Sequence, residues 1–189
     1  IFSETIDFKA VEKVYELSDV LNIRLGLYHK NEWYVEETSE RVEKEIKYTR
    51  AIPVFRATSD TLSDWKARNL SAHKIMLMGT KASADIIFPQ LIDNLSEAMN
   101  IYRSNDTLIE LAPKSVSKLT AIQLLFSEDE SMTDVISFGD NYNDIEMLKN
   151  SGLGIAVGNA REEVKAIADH TTLKNTEDGV AHFIRQHLI

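Results

Sequence analysis

Two aspartates four residues apart, Asp140 and Asp144, stand in the stretch SFGDNYNDIEMLKN (residues 137–150), just beyond a short apolar run. A carboxylate leaving the end of a strand has its backbone fixed by the ladder while its side chain faces a crevice. That geometry suits a metal ligand. Asp144 falls near the start of the following helix, where the dipole favours its charge and its oxygens can reach a cation or a water bound to one. Asn143 adds amide donors close by, and the free N–H groups of a helix start can cradle an anion. Two carboxylates about 4 Å apart repel by roughly 4 kcal/mol at an effective dielectric of 20, a conflict that a divalent cation removes. The same residue types also fit a plainer reading, in which Asp140 opens a turn and Asp144 caps a helix through local hydrogen bonds. Spacing alone leaves both readings open.

The elements needed to hold such a loop are legible around it. Residues 117–126 read as a helix, 134–138 as an apolar strand, 143–150 as a helix, 153–157 as a strand, and 161–168 and 179–188 as helices. Helices alternating with short apolar strands predict a parallel sheet covered on both faces. Ligands of such sheets sit beyond the carboxyl ends of the strands, which is the place of Gly139 to Asp144. The first half has another rhythm. Phe8, Val11, Val14, Leu17 and Leu21 recur at helical spacing after Asp7, a candidate N-cap, and predict a helix over 7–21. Residues 23–29 and 33–35 predict a hairpin; 38–49 a polar helix; 52–55 a strand; 59–68 a helix; 74–78 a buried strand; 83–99 a longer helix; and 101–104 with 107–111 two final strands. Overall the pattern is that of an α/β protein.

Composition narrows the function. Thirty acidic against 21 basic residues give a net charge of −9 over 189 residues, with no basic stripe, which argues against a nucleic-acid partner. With no cysteine there are neither disulfides nor thiolate metal sites, and a reducing, cytoplasmic setting is the default. No apolar run approaches the ~20 residues of a membrane helix. The five histidines show no metal spacing. Gly152-x-Gly154-x-x-x-Gly158 precedes a strand and has the wrong spacing for a dinucleotide loop, so these glycines are expected to turn the chain. Trp33 and Tyr34 read as packing residues.

A wider resemblance joins these pieces. GDNYNDIEMLKNSGLGIAVGNAREEVKAIADHTT, followed by EDGVAHFI, resembles the last motif block of the Cof-type haloacid-dehalogenase-like (HAD superfamily) phosphatases. Each fixed position of that block is filled, by Gly139, Asp140, Asn143, Asp144, Met147, Leu148, Gly152 and Gly154. Upstream, ELAPKSVSKLTAIQLL is similar to the family's lysine block, with Lys118 in the lysine position, and the likeness covers most of residues 107–185. It implies the C-terminal half of a HAD-like Rossmannoid core, residues 113–189, and an α+β type II cap, residues 1–112, in the order αββ-αβαβ-αββ.

The resemblance further implies a Mg²⁺-dependent phosphomonoester hydrolase acting on phosphosugars or similar small phosphorylated metabolites through an aspartyl-phosphate. Asp140 takes the place of the magnesium ligand. Asp144 would bind the ion through water and orient Lys118, and Lys118 would neutralise the transferred phosphoryl group. Asn143 would hold a phosphate oxygen. Catalysis thus falls to Lys118, Asp140 and Asp144, substrate binding to Lys118 and Asn143, and metal binding to Asp140 and Asp144. Placement of the Lys118 ammonium more than about 10 Å from both carboxylates would defeat this assignment. The family's nucleophile block, Asp-x-Asp-Gly-Thr, does not occur in the 189 residues. The chain therefore reads as a fragment that is inactive by itself, with a non-catalytic phospholigand-binding or interaction domain as the alternative. Strand 134–138 would then expose an unpaired edge, through which a homodimer is expected.

Overall fold

A computed structural model describes residues 2–189, which form two compact units, one running through Ser115 and one from Val116 to Ile189.

In the first unit the chain runs α1 (Phe8–Val20), β1 (Arg24–His29), β2 (Glu32–Val35), α2 (Glu40–Thr49), β3 (Val54–Phe55), α3 (Thr58–Ala67), β4 (Lys74–Met78), α4 (Lys81–Leu95), β5 (Met99–Asn105) and β6 (Leu108–Pro113). Six strands form one sheet in the order β3-β2-β1-β4-β6-β5, antiparallel except for the β2/β3 pair. Alternation along the strands decides which side chains are buried where. Leu25, Leu27, Ile75 and Leu77 join Val11 and Val14 of α1, Trp65 of α3, and Ile87 and Leu91 of α4 in the main core. The intervening positions Tyr28 and Met78, with Trp33 and Val35, pack with Val42 of α2. Asp7 caps α1, accepting from Lys9 N at 3.0 Å and Ala10 N at 3.3 Å. The helix expected over 83–99 begins earlier, at Lys81 behind the Thr80 capping box, and ends at Leu95. Met99 continues the apolar period but opens β5 opposite Pro113. Its side chain reaches the same core from a strand, and the ladder satisfies its backbone.

The second unit holds α5 (Lys118–Gln123), β7 (Ile136–Gly139), α6 (Ile145–Asn150), β8 (Leu153–Ala156), α7 (Glu162–Lys165), β9 (His170–Thr171) and α8 (Gly179–His187). Short 3₁₀ turns occupy Met132–Asp134 and Tyr142–Asp144. Strands β7, β8 and β9 form a parallel sheet in that order. Leu148, Ala156, Val157, Ala160 and Val164 make one small core; Leu119, Met132 and Met147 make another. Strand β9 carries no sequence signal, since His170 and Thr171 are both exposed.

The glycines after α6 flank and enter β8 as expected, Gly152 at the bend before it and Gly158 in the turn after it, and none in the described chain has a positive φ. A Cβ on Gly152 would lie 1.9 Å from the Thr133 carbonyl oxygen, and one on Gly154 would lie 2.4 Å from that of Leu148. They let backbones pass in contact.

Candidate active site

The site grows from the end of β7. Gly139 is required there because a Cβ would stand 2.5 Å from Asp144 Cβ and 2.9 Å from its Cγ. Its absence lets the Asp144 side chain fold beneath the loop, where the residue is 1% exposed. Oδ2 of Asp144 accepts from the backbone N–H of Asp140 at 2.9 Å and of Asn141 at 3.0 Å, while Oδ1 accepts from the Lys118 ammonium. Asp144 stands at the entry to α6, yet its side chain makes no capping bond to that helix. It does cap the preceding 3₁₀ turn, closing a capping box on the Asn141 N–H, so the plain capping reading holds there; the same carboxylate also takes the Asp140 N–H and the Lys118 ammonium.

Lys118 is the first residue of α5, whose start is set by the Ser117–Thr120 capping box. Its side chain is 49% exposed whereas that of Asp144 is 2% exposed, so one end of the ion pair faces water. Asp140 is exposed, and among the described residues no hydrogen bond or ion pair engages its carboxylate. Asn143, half-buried in the 3₁₀ turn, likewise has an amide that bonds to no described residue. The four positions predicted from sequence thus divide into a locked pair, Lys118 with Asp144, and two open groups, Asp140 and Asn143.

The open carboxylate bears on a cation. Magnesium takes one or two carboxylates, keeps several waters and draws further oxygens from phosphate. Asp140 fits the part of direct ligand. Asp144 has both oxygens engaged and fits the water-mediated role better than a direct one. Among the described residues no group of three or more His, Cys, Asp or Glu side chains forms a metal cage.

Sequence reasoning missed a second cluster on the same loop. Asn141 Oδ1 accepts from Tyr142 N at 2.9 Å and from Arg161 Nε at 2.9 Å. The Arg161 guanidinium stacks over the Tyr142 ring, 4.7 Å from its centroid. Tyr142 donates its hydroxyl to Glu163 Oε1 at 3.1 Å. The backbone N–H of Glu163, followed by that hydroxyl, holds the Glu163 carboxyl below the usual carboxylate range. No periodicity links positions 141 and 161, so only the fold brings them together.

A parallel sheet with an acid–lysine pair and an open carboxylate at its carboxyl end in one unit, and an α+β fold in the other, fit a Rossmann-like core and a cap. The haloacid dehalogenase-like hydrolase family profile matches residues 1–184, and the chain belongs to that family. It is similar to the 5-amino-6-(5-phospho-D-ribitylamino)uracil phosphatase YcsE of Bacillus subtilis, 34% identical over 124 residues, which cover 64% of this chain and 50% of that protein. It is also similar to the pyridoxal phosphate phosphatase YbhA of Escherichia coli, 52% identical over 59 residues, or 31% of this chain and 22% of that one. Among solved structures, a haloacid dehalogenase-like hydrolase from Bacteroides thetaiotaomicron superposes with a TM-score of 0.77 at 29% identity, covering 98% of this chain and 69% of that one. The matched stretch spans half or less of the length of these two curated relatives.

Proposed function

We propose that the intact protein is a Mg²⁺-dependent phosphomonoester hydrolase acting on small phosphorylated metabolites such as phosphosugars. Residues 1–112 would serve as its cap and 113–189 as part of its core. The observation that carries this reading is the Lys118–Asp144 pair set beside the open carboxylate of Asp140 at the end of β7. Asp144 holds the Lys118 ammonium and two loop N–H groups at once, so the lysine charge is fixed before any ligand arrives. Preorganised charge of this kind stabilises a phosphoryl group without reorganisation cost. Asn143 supplies amide donors for a phosphate oxygen, and Asp140 supplies a carboxylate oxygen to the cation. When bound, magnesium would neutralise charge on the transferred group. The relatives named as phosphatases support the reaction class.

The test uses the gene-encoded protein that carries this chain, assayed on a panel of phosphomonoesters with and without magnesium. Asp140→Asn is expected to lower kcat/KM by at least about a hundredfold. Undiminished hydrolysis by that variant, or hydrolysis indifferent to chelator, would refute the proposal. The 189 residues alone contain no Asp-x-Asp-Gly-Thr nucleophile block, and their phosphate release is expected to match that of their own Asp140→Asn control.

A further inference from the structure

We infer that Arg161 is a positioning residue that sets the direction of the Asp140 carboxylate by fixing the backbone from Asp140 to Tyr142. The inference rests on the reading above, in which Asp140 receives a divalent cation.

The Asp140 carboxylate makes no bond to a described side chain, so its direction is inherited from its own backbone. Asp144 secures the N–H groups of Asp140 and Asn141 with its carboxylate and the Asn141 carbonyl with its own N–H at 2.9 Å. Segment 161–163 adds further ties. The N–H of Arg161 donates to the Asp140 carbonyl at 3.1 Å. Its Nε donates at 2.9 Å to Asn141 Oδ1, the same oxygen that receives Tyr142 N–H at 2.9 Å. Its guanidinium plane covers the Tyr142 ring, whose hydroxyl is held by Glu163. Three consecutive loop residues are thereby tied to one short segment entering α7. Lysine cannot replace this arrangement, because it has neither the planar face for the ring nor a donor partway along a rigid fork. Partners of this type govern ligand orientation and are worth tenfold or more in metal affinity.

The sign of the effect separates positioning from bare charge. Arg161 is a cation near a carboxylate proposed to bind a cation. As a charge alone it weakens that binding, and its removal would tighten it. As a positioning residue, its removal weakens it.

The experiment compares wild type, Arg161→Ala and Arg161→Lys of the full 189-residue chain. Magnesium is titrated while backbone amide resonances are followed, and exchange of the Tyr142 amide is measured without metal. Arg161→Ala is expected to bind magnesium about tenfold more weakly and to exchange the Tyr142 amide about tenfold faster, with Arg161→Lys restoring neither. Equal or tighter magnesium binding by Arg161→Ala would overturn the inference, as would unchanged Tyr142 exchange. Loss of Asp140-dependent magnesium binding already in wild type would count against the proposed function instead. The exchange measurement would then decide the Arg161 inference by itself.

Discussion

Asp144 concentrates three bonds on one buried carboxylate: two to backbone N–H groups and one to the Lys118 ammonium. Truncation strands those donors, two of them on the loop that carries Asp140. Asp144→Ala is expected to cost about 3 kcal/mol in the unit that begins at Val116, with Asp144→Asn losing less because one amide oxygen still receives the loop. Both tryptophans, Trp33 and Trp65, belong to the other unit, so urea unfolding must be followed through amide signals of residues 116–189. An unshifted midpoint for the alanine variant would contradict the account. A different residue governs pH dependence in the first unit. Neutral His73 accepts from Lys30 N at Nδ1, at 3.3 Å, and with Nε2 protonated donates to Ser3 Oγ at 2.7 Å. Burial first, then the nearby His29 and Lys30, hold its pKa below the ordinary histidine value of 6.5. Folded His73 therefore resists protonation that the unfolded chain accepts. Its contribution is intact above the ordinary pKa and is lost as pH falls from there through the depressed folded value. The stability of this unit should decline over that window in wild type and decline less in His73→Gln, as read by tryptophan fluorescence at successive pH values.

At the scale of elements, the turn from β7 into α6 is set by what Gly139 leaves out. Gly139→Ala drives a Cβ into Asp144 Cβ, and both atoms are anchored to backbone, so relief requires the loop to move. The variant is expected to lose about 2 kcal/mol and to detach Lys118 from Asp144, visible as a changed Lys118 side-chain resonance. An alanine variant of wild-type stability would show that the loop yields more readily than close packing permits. Helices and buried strands of the first unit were legible in the sequence because period and burial coincide: Val11, Val14, Ile75 and Leu77 are all in its core, whereas α5 and α7 of the second unit are shorter than the helices expected over 117–126 and 161–168. The elements that escaped were short or exposed. Strand β9 has two exposed residues, and the 3₁₀ turns at Met132–Asp134 and Tyr142–Asp144 shorten the strand and helix expected there. Local hydrogen bonding sets such turns, and it leaves no hydropathy period.

For the molecule as a whole, strand β7 pairs only with β8 among the described residues, and Ile136 on it is 39% exposed. An apolar strand with one free edge is a template for another strand. The 189-residue chain is expected to self-associate through it, and Ile136→Lys to reduce that association in light scattering at equal concentration. A strictly monomeric wild-type chain across the measurable range would exclude this contact. No helix among the described residues is long and apolar enough to cross a membrane. The sequence by itself determined the family and its four candidate residues, because Gly139, Asp140, Asn143, Asp144 and the upstream Lys118 are local signals that a reader can match residue by residue. What only the tertiary structure decided was which atoms of these residues meet. Asp144 is spent on lysine and loop while Asp140 stays open, and Arg161 reaches back across twenty positions to hold that loop. The physical reason is that lone pairs and guanidinium donors are allotted by proximity in space, which chain spacing does not encode outside regular helices and strands.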